Sequence, residues 1–173
     1  LESAFDGIED IIGIQNRHHE IIRYNQAGYN FLDMDPKDVI SRKCHELMGR
    51  SIPCEKCSVA ECLRSGESAQ NEKYLTEKKI WMDCRAYPVY DDSGSLEFVV
   101  EHLRDISEQK LLQKKLTLFK YGVDSSTDAI SMSDFEGRLW YKNDAFQQIF
   151  GETRNKPVSS IFKDRDQAIE VLD

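Results

Sequence analysis

The sequence predicts an α+β fold: a five-stranded antiparallel sheet with short helices on one face, followed by a connecting helix and part of a second copy. Three observations predict it. First, a gap-free offset of 118 residues places Asp10-Ile11-Ile12-Gly13-Ile14 on Asp128-Ala129-Ile130-Ser131-Met132, and Asn25-Gln26-Ala27 on Asn143-Asp144-Ala145. Second, the first copy ends in three strand-like runs separated by polar turns. Third, Leu112, Leu116 and Phe119 form a stripe at helical spacing between the copies. Two strands, short helices and three further strands bury most simply as one sheet covered on one face.

Taken in order, residues 10–14 form a first apolar strand, and the turn Arg17-His18-His19 leads to a second over residues 20–24. Asn25 stands at a helix N-cap, where its side chain can accept a first-turn amide; Tyr29, Phe31 and Leu32 supply the apolar face behind it. Residues 69–76 form a third strand and residues 79–90 a fourth, in which Ile80, Met82, Cys84 and Ala86 alternate against Trp81, Asp83, Arg85 and Tyr87. Asp91-Asp92-Ser93-Gly94 is a strong turn, and residues 96–103 return as a β-branched and aromatic strand. Ser107 is placed to cap the connecting helix, Glu108 suits its first turn, and Leu111 and Leu118 lie on the stripe beside Leu112. That helix is expected to run for about 12–16 residues. In the second copy, Asp134-Phe135-Glu136-Gly137 turns into a strand over residues 138–142. Asn143 then takes the place of Asn25, before Phe146, Ile149 and Phe150.

Of the 173 residues, 40% are hydrophobic and 31% charged, the proportions of a globular protein. A net charge of -8 argues against nucleic acid or an anionic membrane as partner, since both select basic surfaces. No apolar run approaches the roughly 20 residues that span a bilayer. A cytoplasmic location is expected, without direct membrane contact. The chain opens on Leu1 rather than Met and is expected to be part of something longer, which could carry a membrane anchor.

Several stretches carry a family resemblance: Tyr24-Asn25-Gln26-Ala27, the Asp91-Asp92-Ser93-Gly94 hairpin and, above all, Arg104-Asp105-Ile106-Ser107-Glu108-Gln109-Lys110. The last is similar to the D-I-[TS]-E-x-K signature that ends many PAS sensor domains and begins a signalling helix. Residues 1–107 thus resemble a PAS domain with its C-terminal PAC segment. Residues 108–122 are the connecting helix, and residues 123–173 the N-terminal half of a second PAS domain. Lacking its later strands, that half is expected to be incompletely ordered or completed by another chain. The resemblance implies a sensory module of a signal-transduction protein, most often a two-component histidine kinase, with a diguanylate cyclase or transcription activator as other outputs. It also implies a homodimer through the connecting helix and signalling positions at Asp105 and Ser107.

Four of five cysteines fall within nineteen residues as Cys44-x9-Cys54-x2-Cys57-x4-Cys62. A minority of PAS domains carry a similar C-[HY]-E-x-x-x-G-x-x-x-P-C-x-x-C-P pattern, matched here through Cys44, His45, Glu46, Pro53, Cys54 and Cys57, with Ser58 where proline is common. Copy 2 has no cysteine, so the fold itself does not demand these thiols. Three readings follow from the residues. The four sulfurs could hold Zn²⁺ or an iron–sulfur cluster, for which Cys54-x2-Cys57 is suitable spacing and the stretched second pair is not. Two could form a reversible disulfide that senses thiol poise. Or Cys44 and Cys62 are small buried hydrophobes with no chemistry.

Other cofactors fit less well. Lys43-Cys44-His45-Glu46-Leu47-Met48 shares only cysteine and leucine with the N-C-R-F-L-Q window of flavin-binding light sensors of the superfamily. Haem would need an axial histidine; His45 is the best placed, and residues 57–63, where haem sensors carry it, contain none. A small-molecule pocket is expected against the sheet face bearing Met82, Cys84 and Ala86, with His45 nearby. No phosphate loop, nucleophile elbow or zinc-protease motif is present, so the chain reads as a regulatory module rather than an enzyme. The contrasting reading is a redox-active electron carrier using Cys54 and Cys57.

Overall fold

The computed structural model describes residues 2–151. A short helix α1 (Glu2–Asp6) precedes strands β1 (Ile11–Gln15) and β2 (Ile21–Tyr24). Four helices follow, α2 (Gln26–Leu32), α3 (Pro36–Val39), α4 (Cys44–Leu47) and α5 (Ser58–Ser65). The strands β3 (Ala69–Leu75), β4 (Ile80–Tyr90) and β5 (Leu96–Asp105) then lead into helix α6 (Ser107–Asp124). Beyond it lie β6 (Ser131–Ser133), β7 (Leu139–Lys142) and α7 (Asp144–Phe150). The chain divides into two compact units between Lys110 and Leu111.

In the first unit all five strands form one antiparallel sheet of order β2-β1-β5-β4-β3. Local chemistry sets the long hairpin β4–β5: Asp91 Oδ1 accepts the amides of Ser93 and Ser95 at 2.8 and 3.0 Å, and Gly94 takes φ +79°. The register then aligns Cys84 with Leu103 and Ala86 with Glu101. Because side chains alternate, Met82, Cys84, Ala86, Val99, Glu101 and Leu103 all face the helices.

Asn25 locks the first hairpin to the helices. Its Nδ2 donates to the carbonyls of Ile8 (3.0 Å) and Asp10 (2.8 Å), while its Oδ1 accepts the amides of Ile12 (3.0 Å) and Gly28 (3.1 Å). A side chain that both caps α2 and pairs the strand before it must be Asn, with two donors and an accepting oxygen. The Tyr24 ring fills the angle between β1 and α2 so closely that a Cβ at Gly13 would sit 2.5 Å from it. Two apolar clusters result. One gathers Ile11, Ile21, Tyr24, Tyr29, Val39, Leu75, Met82 and Cys84; the other places Val59 and Cys62 of α5 on Ala86 and Val99.

The connecting helix is longer than expected, at 18 residues. Nothing between Leu118 and Asp124 competes for the backbone until Ser125, whose amide and hydroxyl both bond back to the Tyr121 carbonyl. In the second unit, β6 and β7 form an antiparallel hairpin. Asn143 Nδ2 donates to the carbonyls of Val123 and Asp128, and its Oδ1 accepts the amides of Ile130 and Phe146. Asp128, Ile130 and Phe146 stand 118 residues after Asp10, Ile12 and Gly28, so three of the four bonds made by Asn25 recur at the repeat offset. The rest of the expected second copy, residues 152–173, lies outside the described residues. No helix among the described residues is long and apolar enough to cross a membrane.

Candidate functional site

A cavity of about 60 Å³ lies between the sheet and the helices of the first unit. Its walls are apolar where Ile11, Phe31, Leu32, Leu75 and Leu103 meet, but one side carries Cys44, His45, Arg50, Cys54, Lys73, Met82, Cys84 and Glu101. Strand alternation puts Lys73 there: on β3 it shares the inward face with Asn71 and Leu75, directly opposite Met82 and diagonal to Cys84. Glu101, 5% exposed, points inward from β5, and its Oε2 accepts from Gln15 Nε2 at 2.7 Å.

The electrostatics follow from burial. Burial raises the Glu101 carboxyl above the ordinary carboxylate range, against the opposing pull of Lys73 and the Gln15 hydrogen bond. For Lys73, burial works to lower the pKa, but the acidic groups around it, Cys84, Cys54, Glu101 and Cys57, outweigh it and the net shift is upward. Burial also pushes Cys44 and Cys84 up to about 12, so both are neutral thiols at pH 7.

The cysteine loop folds over this side of the cavity. Cys44 opens α4, and Cys57 caps α5 with its Sγ accepting the Ala60 amide at 3.5 Å. Cys54 sits between them. Its Sγ accepts from Arg50 Nη1 at 3.1 Å and lies 3.6 Å from Lys73 Nζ. Arg50 is held in place by Glu77, with Nε and Nη2 each 2.7 Å from a carboxylate oxygen. That fork pulls Glu77 down to about 2 and raises Arg50. Cys44, Cys54 and Cys57 lie close enough to feel one another's charge, and Cys84 feels Cys54.

Two expected positions stand apart. Cys62 is fully buried in the cluster beneath α5, with burial alone raising its pKa, so it does not join Cys44, Cys54 and Cys57. The helical turn rotates it from Cys57 towards Val59, Ala86 and Val99. Ala86 belongs to that cluster too and does not line the cavity, whereas Met82, Cys84 and His45 do. All five cysteines are free thiols. Among the described residues no group of three or more His, Cys, Asp or Glu side chains is arranged to hold a metal ion. His45 is 7% exposed and its Nδ1 has no hydrogen-bond partner among the described residues. Arg50, Lys73, Gln15 and Glu101 were not expected here; the available signal was charge at inward positions of alternating strands.

The start of α6 is fastened to the same strands. Trp81 exchanges bonds with it: its carbonyl accepts the Ile106 amide, and its amide donates to Ser107 Oγ, each at 2.9 Å. Asp105 Oδ1 accepts the Ser107 amide at 2.8 Å. The capping carboxylate is thus that of Asp105, and the Ser107 hydroxyl expected to cap the helix instead ties it to β4. Lys110 pairs with Glu72 and lies 5.4 Å above the Trp81 ring. Glu72 and Trp81 are the immediate neighbours of Lys73 and Met82, which face the cavity.

A sequence-family profile described as PAS domain matches residues 9–108. Comparison with curated proteins gives no match. Among solved structures, an RNA-binding light-oxygen-voltage receptor is similar with TM-score 0.52 and 15% identity over 69% of this chain and 36% of the other. The PAS domain of a Colwellia psychrerythraea protein is similar at TM-score 0.48 and 15% identity, covering 61% of this chain and 93% of that one. A sensory box sensor histidine kinase from Vibrio cholerae is similar at TM-score 0.49 and 15% identity, covering 61% and 87%.

Proposed function

The chain belongs to the PAS domain family, and from that premise we propose that it is the sensory input module of a signal-transduction protein, with the thiol-lined cavity as its signal pocket. The observation that carries this reading is the double-sided use of two strands. On one face of β3 and β4, Lys73 and Met82 line the cavity; on the other, the adjacent Glu72 and the Trp81 ring hold Lys110, while the Trp81 backbone bonds Ile106 and Ser107 at the start of α6. A change of charge or volume at the cavity alters the strand pair to which the helix is bolted, and α6 carries it onward. Asp105 and Ser107 are the hinge of that relay.

The rest of the reading is regulatory rather than catalytic. Residues 123–151 begin a second PAS domain, supported by the recurrence of the Asn25 bonds at Asn143. The output is a histidine kinase of a two-component system in the cytoplasm, as the family resemblance implies. Leu112, Leu116 and Phe119 are each more than half exposed on α6 and form the seam of a homodimer.

The experiment is hydrogen exchange on the 173-residue chain before and after thiomethylation with methyl methanethiosulfonate, which adds a small group to an accessible thiol. Protection should change at residues 105–110 as well as around the cavity. A change confined to the cysteine loop would overturn the relay.

A further inference from the structure

We propose that Cys54 is a peroxide-reactive cysteine, that its oxidant is a small hydroperoxide, and that Cys84 is the thiol that captures the oxidised sulfur. This deepens the signal-pocket reading and rests on it.

Cys54 differs from the other four cysteines in what surrounds its sulfur. Two cationic donors converge on it, Arg50 Nη1 at 3.1 Å and Lys73 Nζ at 3.6 Å, and Glu77 holds Arg50 by both remaining contacts of its fork. Cations next to a thiol favour the charged sulfur that attacks and the sulfenate that forms. Cys54 is also the thiol where outside meets inside. It is half-buried and lines both the internal cavity and two clefts at the surface, one shared with Cys57 and the other with Arg50 and Lys73. Cys57 faces one of those clefts, but its sulfur is occupied in capping α5. Cys62 is sealed in the core.

A small hydroperoxide is the oxidant that fits the cavity beside Cys54: a water needs roughly 10–15 Å³ of such space, so about 60 Å³ holds a few molecules of water or peroxide. His45, buried on the same wall with its Nδ1 unpartnered among the described residues, offers a hydrogen bond to a small polar guest. Cys84 is the capturing thiol because it lines the same cavity as Cys54, and Lys73, whose Nζ lies 3.6 Å from Cys54 Sγ, stands diagonal to Cys84 on the neighbouring strand. Burial keeps Cys84 a neutral thiol, so it is not the first nucleophile and must shed its proton as it attacks.

The chemistry balances in two steps. The Cys54 sulfur attacks one peroxide oxygen; an S–O bond forms, the O–O bond breaks, and the departing hydroxide takes the thiol's proton to leave as water. Sulfur is oxidised by two electrons and the peroxide reduced. The Cys84 sulfur then attacks Cys54; the S–S bond forms, the S–O bond breaks, and the Cys84 proton leaves with the hydroxyl as a second water.

The test treats the reduced 173-residue chain with one equivalent of hydrogen peroxide at pH 7 and maps products by peptide mass spectrometry, with dimedone present to trap sulfenic acid. The expected results are a Cys54–Cys84 cross-linked peptide in the unaltered chain and a dimedone adduct on Cys54 in Cys84→Ala. Lys73→Met should slow Cys54 oxidation at least tenfold, and Lys73→Arg, which keeps the cation, should restore most of the rate. Oxidation of Cys57 or Cys44 ahead of Cys54, a Cys54–Cys57 product, or an unchanged rate in Lys73→Met overturns the proposal. If Cys54 ignores peroxide while thiomethylation still alters protection at residues 105–110, this inference fails and the sensor reading stands. If peroxide forms the disulfide and residues 105–110 do not respond, the redox site stands and the relay fails.

Discussion

Replacing Asn25 with Ala should cost the first unit about 3 to 4 kcal/mol. The side chain is fully buried and makes four hydrogen bonds, to the carbonyls of Ile8 and Asp10 and from the amides of Ile12 and Gly28. At about 1 kcal/mol net for each bond the loss is about 4 kcal/mol. The Gly28 amide also reaches the Asn25 backbone carbonyl at 3.0 Å, which survives the substitution and moderates the figure. A typical domain has only about 5–15 kcal/mol to lose. Hydrogen exchange read peptide by peptide is the assay, because it separates the two units. Amides of β1 and β2 should exchange roughly one hundred to seven hundred times faster, at about tenfold for each 1.4 kcal/mol. Asn25→Asp should fare no better at neutral pH, since a carboxylate cannot donate to the two carbonyls. A loss below about 1 kcal/mol would refute the assignment of Asn25 as the lock between hairpin and helix.

Further outcomes follow from the same geometry. Gly13→Ala drives a Cβ to 2.5 Å from the Tyr24 ring and should destabilise by about 2 to 3 kcal/mol in urea titration. Glu101 has a raised carboxyl, so the native state binds its proton more readily; its penalty is absent below about pH 4.5 and grows as pH rises through the native value. Glu101→Gln should therefore gain stability relative to the unaltered chain at pH 8 and not at pH 4; parallel profiles would contradict this. Glu77 is lowered to about 2, so the stability from its fork with Arg50 is present above pH 4.5 and lost as pH falls towards 2. Glu77→Gln should flatten the acid limb of the unfolding profile. Asn143→Ala should speed exchange in β6 and β7 and leave β1 unchanged.

Much of the sheet was legible because its signals are local. The Asp91-Asp92-Ser93-Gly94 turn fixes the β4–β5 hairpin, and alternation along Ile80–Tyr90 identifies Met82 and Cys84 as inward. The β5 sequence Leu-Glu-Phe-Val-Val-Glu-His-Leu is apolar on both faces, so its phase, and with it the inward position of Glu101, emerges only from pairing with β1 and β4. Lys73 was hidden for the same reason, as a charge in a strand usually marks the solvent face. Sequence proximity also misled at the cysteines. Cys62 follows Cys57 closely along the chain but α5 turns it into the second cluster, while Cys84 comes from a distant strand to face Cys54 through Lys73.

The coupling between the cavity and the start of α6 is the step on which the proposed relay depends. The most direct measurement is of backbone amide chemical shifts in the ¹⁵N-labelled chain before and after thiomethylation of Cys54 in a Cys44→Ala, Cys57→Ala, Cys84→Ala background, where the buried Cys62 is shielded. The account predicts shifts at Trp81, Ile106 and Ser107, whose bonds join β4 to the helix. Shifts that stop at the cysteine loop and Lys73, with Ile106 and Ser107 unmoved, would contradict it.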